Sequence, residues 1–347
     1  MQPRHCALVG VGLAAMLMAG WALAAETPAP AARGQAGAPK AAAPEKPKTD
    51  KPVAEDVLKK VEAALPEKAT VAPAQPRKML ILTATKGARH GSIPLAAKTL
   101  ELMGKRTGAF EVTITNEITD CKPENLAKFD ALCSDQCTGA LTDDETIKKG
   151  ILDYVSGGKG WVGIHAATDV GAWKFPEYHE MIGGVFAGHP FKHISVKLDD
   201  PTHPLCAVFG GKGFDITDEI YTFKDPYSRQ KLRVLLSIDW ENSKLSKGNR
   251  QDNDYALSWV RAYGKGRIFY NAFGHQNPIW WNPAVLRYYL DGIQFALGDL
   301  KADTTPIAAL TPAPTPARGP VLAPAPEPPK PAPKPAEKKD APPPAVR

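Results

Sequence analysis

Four of the eight histidines in this 347-residue chain sit where apolar runs give way to short polar turns. They are His90 beside Arg89, His165, His189 and His275. Asp169 lies four residues after His165, and the pair Asp218 and Glu219 stands in Thr217-Asp218-Glu219-Ile220-Tyr221. Histidines and carboxylates converging on one cleft can do two kinds of chemistry. They can hold a divalent metal such as zinc, with His165, His189, His275 and Glu219 as ligands and an open position for water. They can also work without metal as acid and base, with His165, Asp169, His90 and Glu219 as the reacting groups, because imidazole titrates near neutral pH. His165 and Asp169 are one helical turn apart, so a hydrogen bond that orients the ring is feasible.

For these residues to meet, the elements before them must end on one side of a sheet. An apolar run over 78–84 predicts a strand, and the loop carrying Arg89 and His90 leads into an amphipathic helix over 93–106. Strands follow at 110–115 and 131–134, with a short helix at 124–128 between them. Thr142 with Glu145 three residues later reads as a capping box for a helix to 155, stopped by Gly157-Gly158. The strand 161–164 then runs straight into His165. Further strands are expected at 194–198, 234–238, 255–260 and 267–271, and a last helix at 284–297. Strands alternating with helices through short connections predict an α/β fold: a flavodoxin-like three-layer sandwich with a mostly parallel sheet. In such folds polar groups at the carboxyl ends of strands face a cleft.

The ordered set Arg89-His90-x-Ser92-Ile93, Gly163-Ile164-His165-Ala166-Ala167-x-Asp169, Phe186-x-x-His189-Pro190, Asp218-Glu219-x-Tyr221 and Gly274-His275 resembles the ThuA-like family, named after trehalose utilisation. The likeness runs through residues 77–300. It implies a fold similar to class I glutamine amidotransferases, in which a cysteine nucleophile occupies the strand-to-helix elbow. Here His165 takes the elbow, and neither a cysteine nor a Gly-x-Ser-x-Gly stands there, so a glutaminase or serine-hydrolase mechanism lacks its nucleophile. The resemblance points to a carbohydrate or oxidised-sugar derivative as substrate, acted on by hydrolysis, elimination or isomerisation. Arg89, Trp173, Tyr221, Trp280 and Trp281 are the expected substrate contacts, the indoles because their faces suit sugar C–H surfaces. The competing expectation is a non-catalytic carbohydrate-binding module. His179, His193 and His203 read as surface or turn residues.

Composition frames this domain. A positive start, an apolar stretch and small residues before position 25 read as a signal peptide over 1–25, placing the mature protein in the periplasm, in the envelope or outside the cell. No later run is long enough to span a bilayer. Residues 26–76 and 301–347 are Ala/Pro/Lys/Glu mixtures, expected to be disordered tethers. Val57, Val61 and Leu65 share a helical face in the first of them and suggest a short docking helix. The formal charge of +6 resides in the signal and tails, while residues 77–300 nearly balance, which excludes a basic nucleic-acid groove. The tails could touch anionic cell-envelope polymers. Four cysteines follow the signal, Cys121, Cys133, Cys137 and Cys206, read as structural or free thiols rather than catalysts.

Overall fold

The computed structural model describes residues 52–171 and 174–307. The expected signal peptide, most of the first tether, the tail from 308 onward and Trp173 lie outside the described residues. The helices are α1 (Glu55–Ala64), α2 (Ile93–Thr107), α3 (Pro123–Leu126), α4 (Glu145–Ser156), α5 (Pro176–Ile182), α6 (Trp240–Ser243) and α7 (Pro283–Leu297). The strands are β1 (Lys78–Leu82), β2 (Glu111–Thr115), β3 (Ala131–Asp135), β4 (Thr138–Gly139), β5 (Gly160–Ile164), β6 (Asp169–Val170), β7 (Val185–Leu198), β8 (Phe214–Lys224), β9 (Arg233–Ile238), β10 (Ala256–Tyr263) and β11 (Gly266–Asn271). None of these helices is long and apolar enough to cross a membrane.

Nine strands form one sheet in the order β2-β1-β3-β5-β11-β10-β9-β7-β8. The first five are parallel to their neighbours, with Cys133 and Phe269 both paired to Val162. Alternation along each strand divides the core into two apolar layers, because successive side chains leave opposite faces. Met79, Ile81, Val162 and Ile164 pack with α2 and α7 on one face. Leu80, Leu82, Leu132 and Trp161 pack with α3 and α4 on the other. The expected α/β architecture is therefore present.

Its second half differs from the sequence reading. From β11 through β10, β9 and β7 to β8 every pairing is antiparallel. The 185–193 part of β7 and the whole of β8 were not anticipated, because their apolar alternation is interrupted. Register shifts break β7 between Phe186 and His193, and Asp215, Asp218 and Glu219 give β8 the look of a loop. A smaller correction concerns α4: its amino end is capped by Asp144, whose Oδ1 accepts from Thr146 N at 2.8 Å, so Thr142 is not the cap.

The chain also becomes ordered earlier and stays ordered later than its composition suggests. Val61 and Leu65 are buried, and Lys60 lies 4.8 Å above the Trp281 ring. Residues 70–71 are laced to α7 through Gln294, whose Oε1 accepts from Thr70 N at 2.7 Å and whose Nε2 donates to Val71 O at 2.7 Å. At the other end Arg233 holds Asp303 at 2.7 Å and donates to Thr305 O at 3.0 Å. The expected tethers 26–76 and 301–347 thus lose residues 52–76 and 301–307 to the folded body. The burial of a few apolar and amide groups offsets the ordering cost of these short stretches.

His179, expected on a solvated surface, is buried in α5 with Nδ1 3.3 Å from Gly184 O. His203 is also buried and its Nδ1 accepts from Leu205 N at 3.3 Å. The four cysteines among the described residues are buried and unbridged, and burial pushes the Cys121 thiol up to about 12, which keeps it protonated and unreactive.

Thr70 Oγ1 also donates to Asp291, a buried carboxyl of α7 that pairs with Arg287 at 3.3 Å. Burial raises its pKa to about 6 against the opposing pull of Thr70 and Arg287. Because the folded value lies above the unfolded one, the protonated form favours folding. Its contribution is complete below pH about 4 and is lost as pH rises through 6. Urea unfolding of the parent and Asp291→Asn should therefore show the parent losing about 2–3 kcal/mol relative to the variant between pH 4 and pH 7. A difference independent of pH would contradict this account of Asp291.

Candidate functional site

β5 ends at Ile164, and the next residue, His165, has φ +46. That is left-handed backbone, which a non-glycine residue occupies at a cost of about 1–3 kcal/mol when its surroundings hold it there. The surroundings here are explicit. Tyr270 of β11 donates from its hydroxyl to His165 O at 2.6 Å, and the His165 Nδ1–H donates to Ala272 O at 2.8 Å. With Nδ1 so engaged, Nε2 carries the lone pair in the neutral ring. The residue is fully buried and its ring centroid lies 4.2 Å from that of Tyr221.

His165 Nε2 points toward Glu219 of β8, 3.3 Å from Oε2. Two more rings approach the same oxygen. His275 Nδ1 lies 3.0 Å away and His90 Nε2 3.9 Å away. The three imidazoles stand mutually edge-on, with centroids 4.9, 5.1 and 5.3 Å apart. One ligand atom from each of His90, His165, Glu219 and His275 can be chosen so that all four lie within 4.8 Å of one another. His189 approaches the other oxygen, with Nδ1 3.4 Å from Oε1, from the solvent side of the carboxylate.

Each group arrives from a different element. His90 is buried in the loop before α2. Close by, Ser92 at the amino end of that helix donates from its hydroxyl to Gln136 Oε1 at 2.9 Å. His189 sits where β7 loses register with β8 after Gly188, whose φ is +126. A bulge of this kind re-aims a side chain that regular pairing would send elsewhere. His275 follows Gly274, which has φ +139, and a Cβ there would meet Ile164 Cγ2 and the Trp280 ring at 3.1 Å.

The loop bearing His275 is held by Asp218. Its Oδ2 accepts from Gly274 N at 2.7 Å and its Oδ1 from Gln276 N at 2.8 Å, so one carboxylate grips the backbone on both sides of the histidine. Asp218 occupies a position in the buried alternation Phe214, Ile216, Asp218, Ile220 of β8. A carboxylate standing in an apolar register was the sequence signal for this role. Trp280 Nε1 adds a 3.0 Å hydrogen bond to Gly274 O.

The electrostatics follow from this crowding. A hydrogen-bonded, cationic His165 ring, helped by His275 and His189, pulls the Glu219 carboxyl down to about 2 against burial; with the ring neutral and its lone pair facing the carboxylate, that pull is lost. Burial, reinforced by His165 and His275, lowers His90 to about 4. At neutral pH the centre is an anionic carboxylate facing a neutral His90, while burial raises the pKa of Asp169.

Other expected site residues are placed differently. Asp169 does not orient His165, since Ala272 O takes the ring N–H. Asp169 lies in β6, paired with β4 through Thr138. Arg89 is exposed but turns back to donate to its own loop at Thr83 O, 2.9 Å away. Tyr221 is buried between Phe186 and His165 and forms a wall of the centre. Trp280 and Trp281 are buried. Trp280 stacks on Tyr289 at 5.3 Å, and Trp281 lies under Lys60. Neither offers an indole face to a sugar, because the last helix and α1 cover them.

The fold and this strand-end centre define a flavodoxin-like α/β domain of the class I glutamine amidotransferase type, with histidine at the elbow. The family profile ThuA, described as trehalose utilisation, matches residues 78–296, and the chain belongs to that family. A putative ThuA-like protein from Bacteroides uniformis superposes with a TM-score of 0.54 at 22% identity, covering 65% of this chain and 93% of that one. A second, from Parabacteroides merdae, gives 0.48 at 18% identity, covering 66% and 93%. No curated protein matches the chain.

Asp218→Asn removes one of the two acceptors and turns an amide toward a backbone N–H. It should cost about 2–3 kcal/mol in urea unfolding at neutral pH. A change within about 0.5 kcal/mol, the size of an ordinary surface substitution, would show that Asp218 does not hold the His275 loop.

Proposed function

We propose that this protein acts on a carbohydrate or an oxidised-sugar derivative, by hydrolysis, elimination or isomerisation, at the centre formed by His165, Glu219, His275 and His90. The observation that carries the reading is the buried His165 held in left-handed backbone with its ring against Glu219. Backbone strain of this kind persists at reacting centres because the geometry it enforces is useful there. The substrate class rests on membership of a family described by trehalose utilisation.

The arrangement suits reactions that move protons at a sugar carbon or hydroxyl. Glu219 has both oxygens in use, Oε2 on the inner imidazoles and Oε1 on His189. The inner group fixes and polarises the reacting atom, and the His189–Glu219 pair at the mouth gives or takes the proton. Acyl-enzyme chemistry is disfavoured: the elbow carries imidazole, and Cys133 and Cys137 are buried and held as thiols. A non-catalytic module would need an exposed aromatic platform, and Trp280 and Trp281 do not supply one. We place the protein outside the cytoplasm on the basis of its amino-terminal sequence, with sugars as its small-molecule partners.

Turnover of disaccharides and of their keto forms tests the reading. His165→Asn tolerates left-handed backbone and keeps a polar side chain, but it lacks the imidazole. It should stay folded by circular dichroism and lose turnover by about 10²–10⁴-fold. His165→Gln should be equally inactive. Retention of full turnover by either folded variant would remove the proposal.

A further inference from the structure

The geometry points to a metal site: His90, His165, Glu219 and His275 together bind one divalent first-row transition ion, of which zinc is the simplest case. This deepens the proposed function by naming how its centre polarises a sugar oxygen.

The first argument is the direction of the donors. His165 Nδ1 is committed to Ala272 O, so in the neutral ring the nitrogen facing Glu219 is the one with a lone pair. His165 Nε2 and His275 Nδ1 lie 3.3 and 3.0 Å from a carboxylate oxygen, yet both are buried without a hydrogen bond. Buried polar atoms left in this state call for a partner.

Spacing is the second argument. A tetrahedral ion with bonds of about 2.0–2.1 Å keeps its ligand atoms about 3.3 Å apart. The separations from Glu219 Oε2 are 3.0, 3.3 and 3.9 Å, and the four chosen atoms all fall within 4.8 Å of one another. The donor set is the third: three imidazoles and one carboxylate suit zinc, cobalt, nickel or iron, whereas magnesium and calcium favour oxygen.

The supports around the ligands fit the same role. Metal-binding histidines generally donate their second nitrogen to a carbonyl or carboxylate, which sets the tautomer and the ring's direction. His165 does so to Ala272 O, and Asp218 fixes the backbone on both sides of His275. The His189 contact is with Oε1, and His189 is not among the four residues whose ligand atoms gather together. The expectation that it is a ligand is therefore replaced by a place beside the ion, on the substrate side.

The test uses the full chain, stripped with chelator and titrated with Zn²⁺ by calorimetry and with Co²⁺ by visible absorption. One equivalent of Zn²⁺ should bind, and Co²⁺ should give intense bands between 500 and 700 nm for a four- or five-coordinate site, on the order of 10²-fold stronger than those of the hydrated ion. Glu219→Gln and His275→Ala should each weaken Zn²⁺ binding by at least about 100-fold, judged against the 10–100-fold typical of lost supporting contacts. His193→Ala, an exposed histidine bonded to Thr217, should bind as the parent does. Absence of a stoichiometric site in the parent, or parental affinity in Glu219→Gln and His275→Ala, would overturn the inference. Sugar turnover by the stripped protein would overturn the ion's part in polarising the sugar oxygen and leave the proposed function standing. Tight Zn²⁺ binding without turnover of any sugar would do the reverse.

Discussion

One carboxylate organises this molecule's functional face. Glu219 brings to its two oxygens imidazoles from four separate segments: the loop after β1, the end of β5, the bulge of β7 and the loop after β11. Such a convergence cannot form locally, since its members span residues 90 to 275. It exists only when the whole sheet is assembled, and three of the four imidazoles are fixed by a backbone feature of their own. His165 takes a left-handed turn, His189 a bulge after Gly188, and His275 a glycine turn gripped by Asp218.

The two halves of the sheet divide the work. The parallel half delivers His90 and His165 at the carboxyl ends of β1 and β5, the usual place for chemistry in α/β folds. The antiparallel half supplies Glu219 and His189 from the β7–β8 hairpin, and β11 between them carries the His275 loop. The wall behind the rings is apolar and aromatic, with Tyr221 against His165 and Phe186 against Tyr221. It buries the His165 ring completely, and charge interactions strengthen in such low-dielectric surroundings.

Much of this was legible in the sequence, and for identifiable reasons. The runs ending at Leu82 and Ile164 are continuous and apolar, so the strands before His90 and His165 could be read directly. His275 could be singled out because it follows the strand pattern ending at Asn271, and Glu219 through the Asp218-Glu219-x-Tyr221 resemblance. The β7–β8 hairpin was hidden by the same features that make it useful. Its bulge breaks the alternation around His189, and Asp218 stands where an apolar side chain would mark the strand. Trp280 and Trp281 could be read as a sugar platform only without α1 and α7, whose packing over them depends on contacts distant in sequence. The Ala272 carbonyl that orients His165, a backbone atom, leaves no trace in residue type at all.

The central claim is that the fold holds His165 in unfavourable backbone to bring its ring onto Glu219. Comparing the unfolding free energies of His165→Gly and His165→Ala isolates that strain, because both remove the ring and only alanine retains the Cβ. If the claim is right, the glycine variant is the more stable by about 1–2 kcal/mol, reversing the usual order in which glycine is the worse residue by about 0.5–1 kcal/mol. An alanine variant as stable as the glycine variant, or more so, would contradict it.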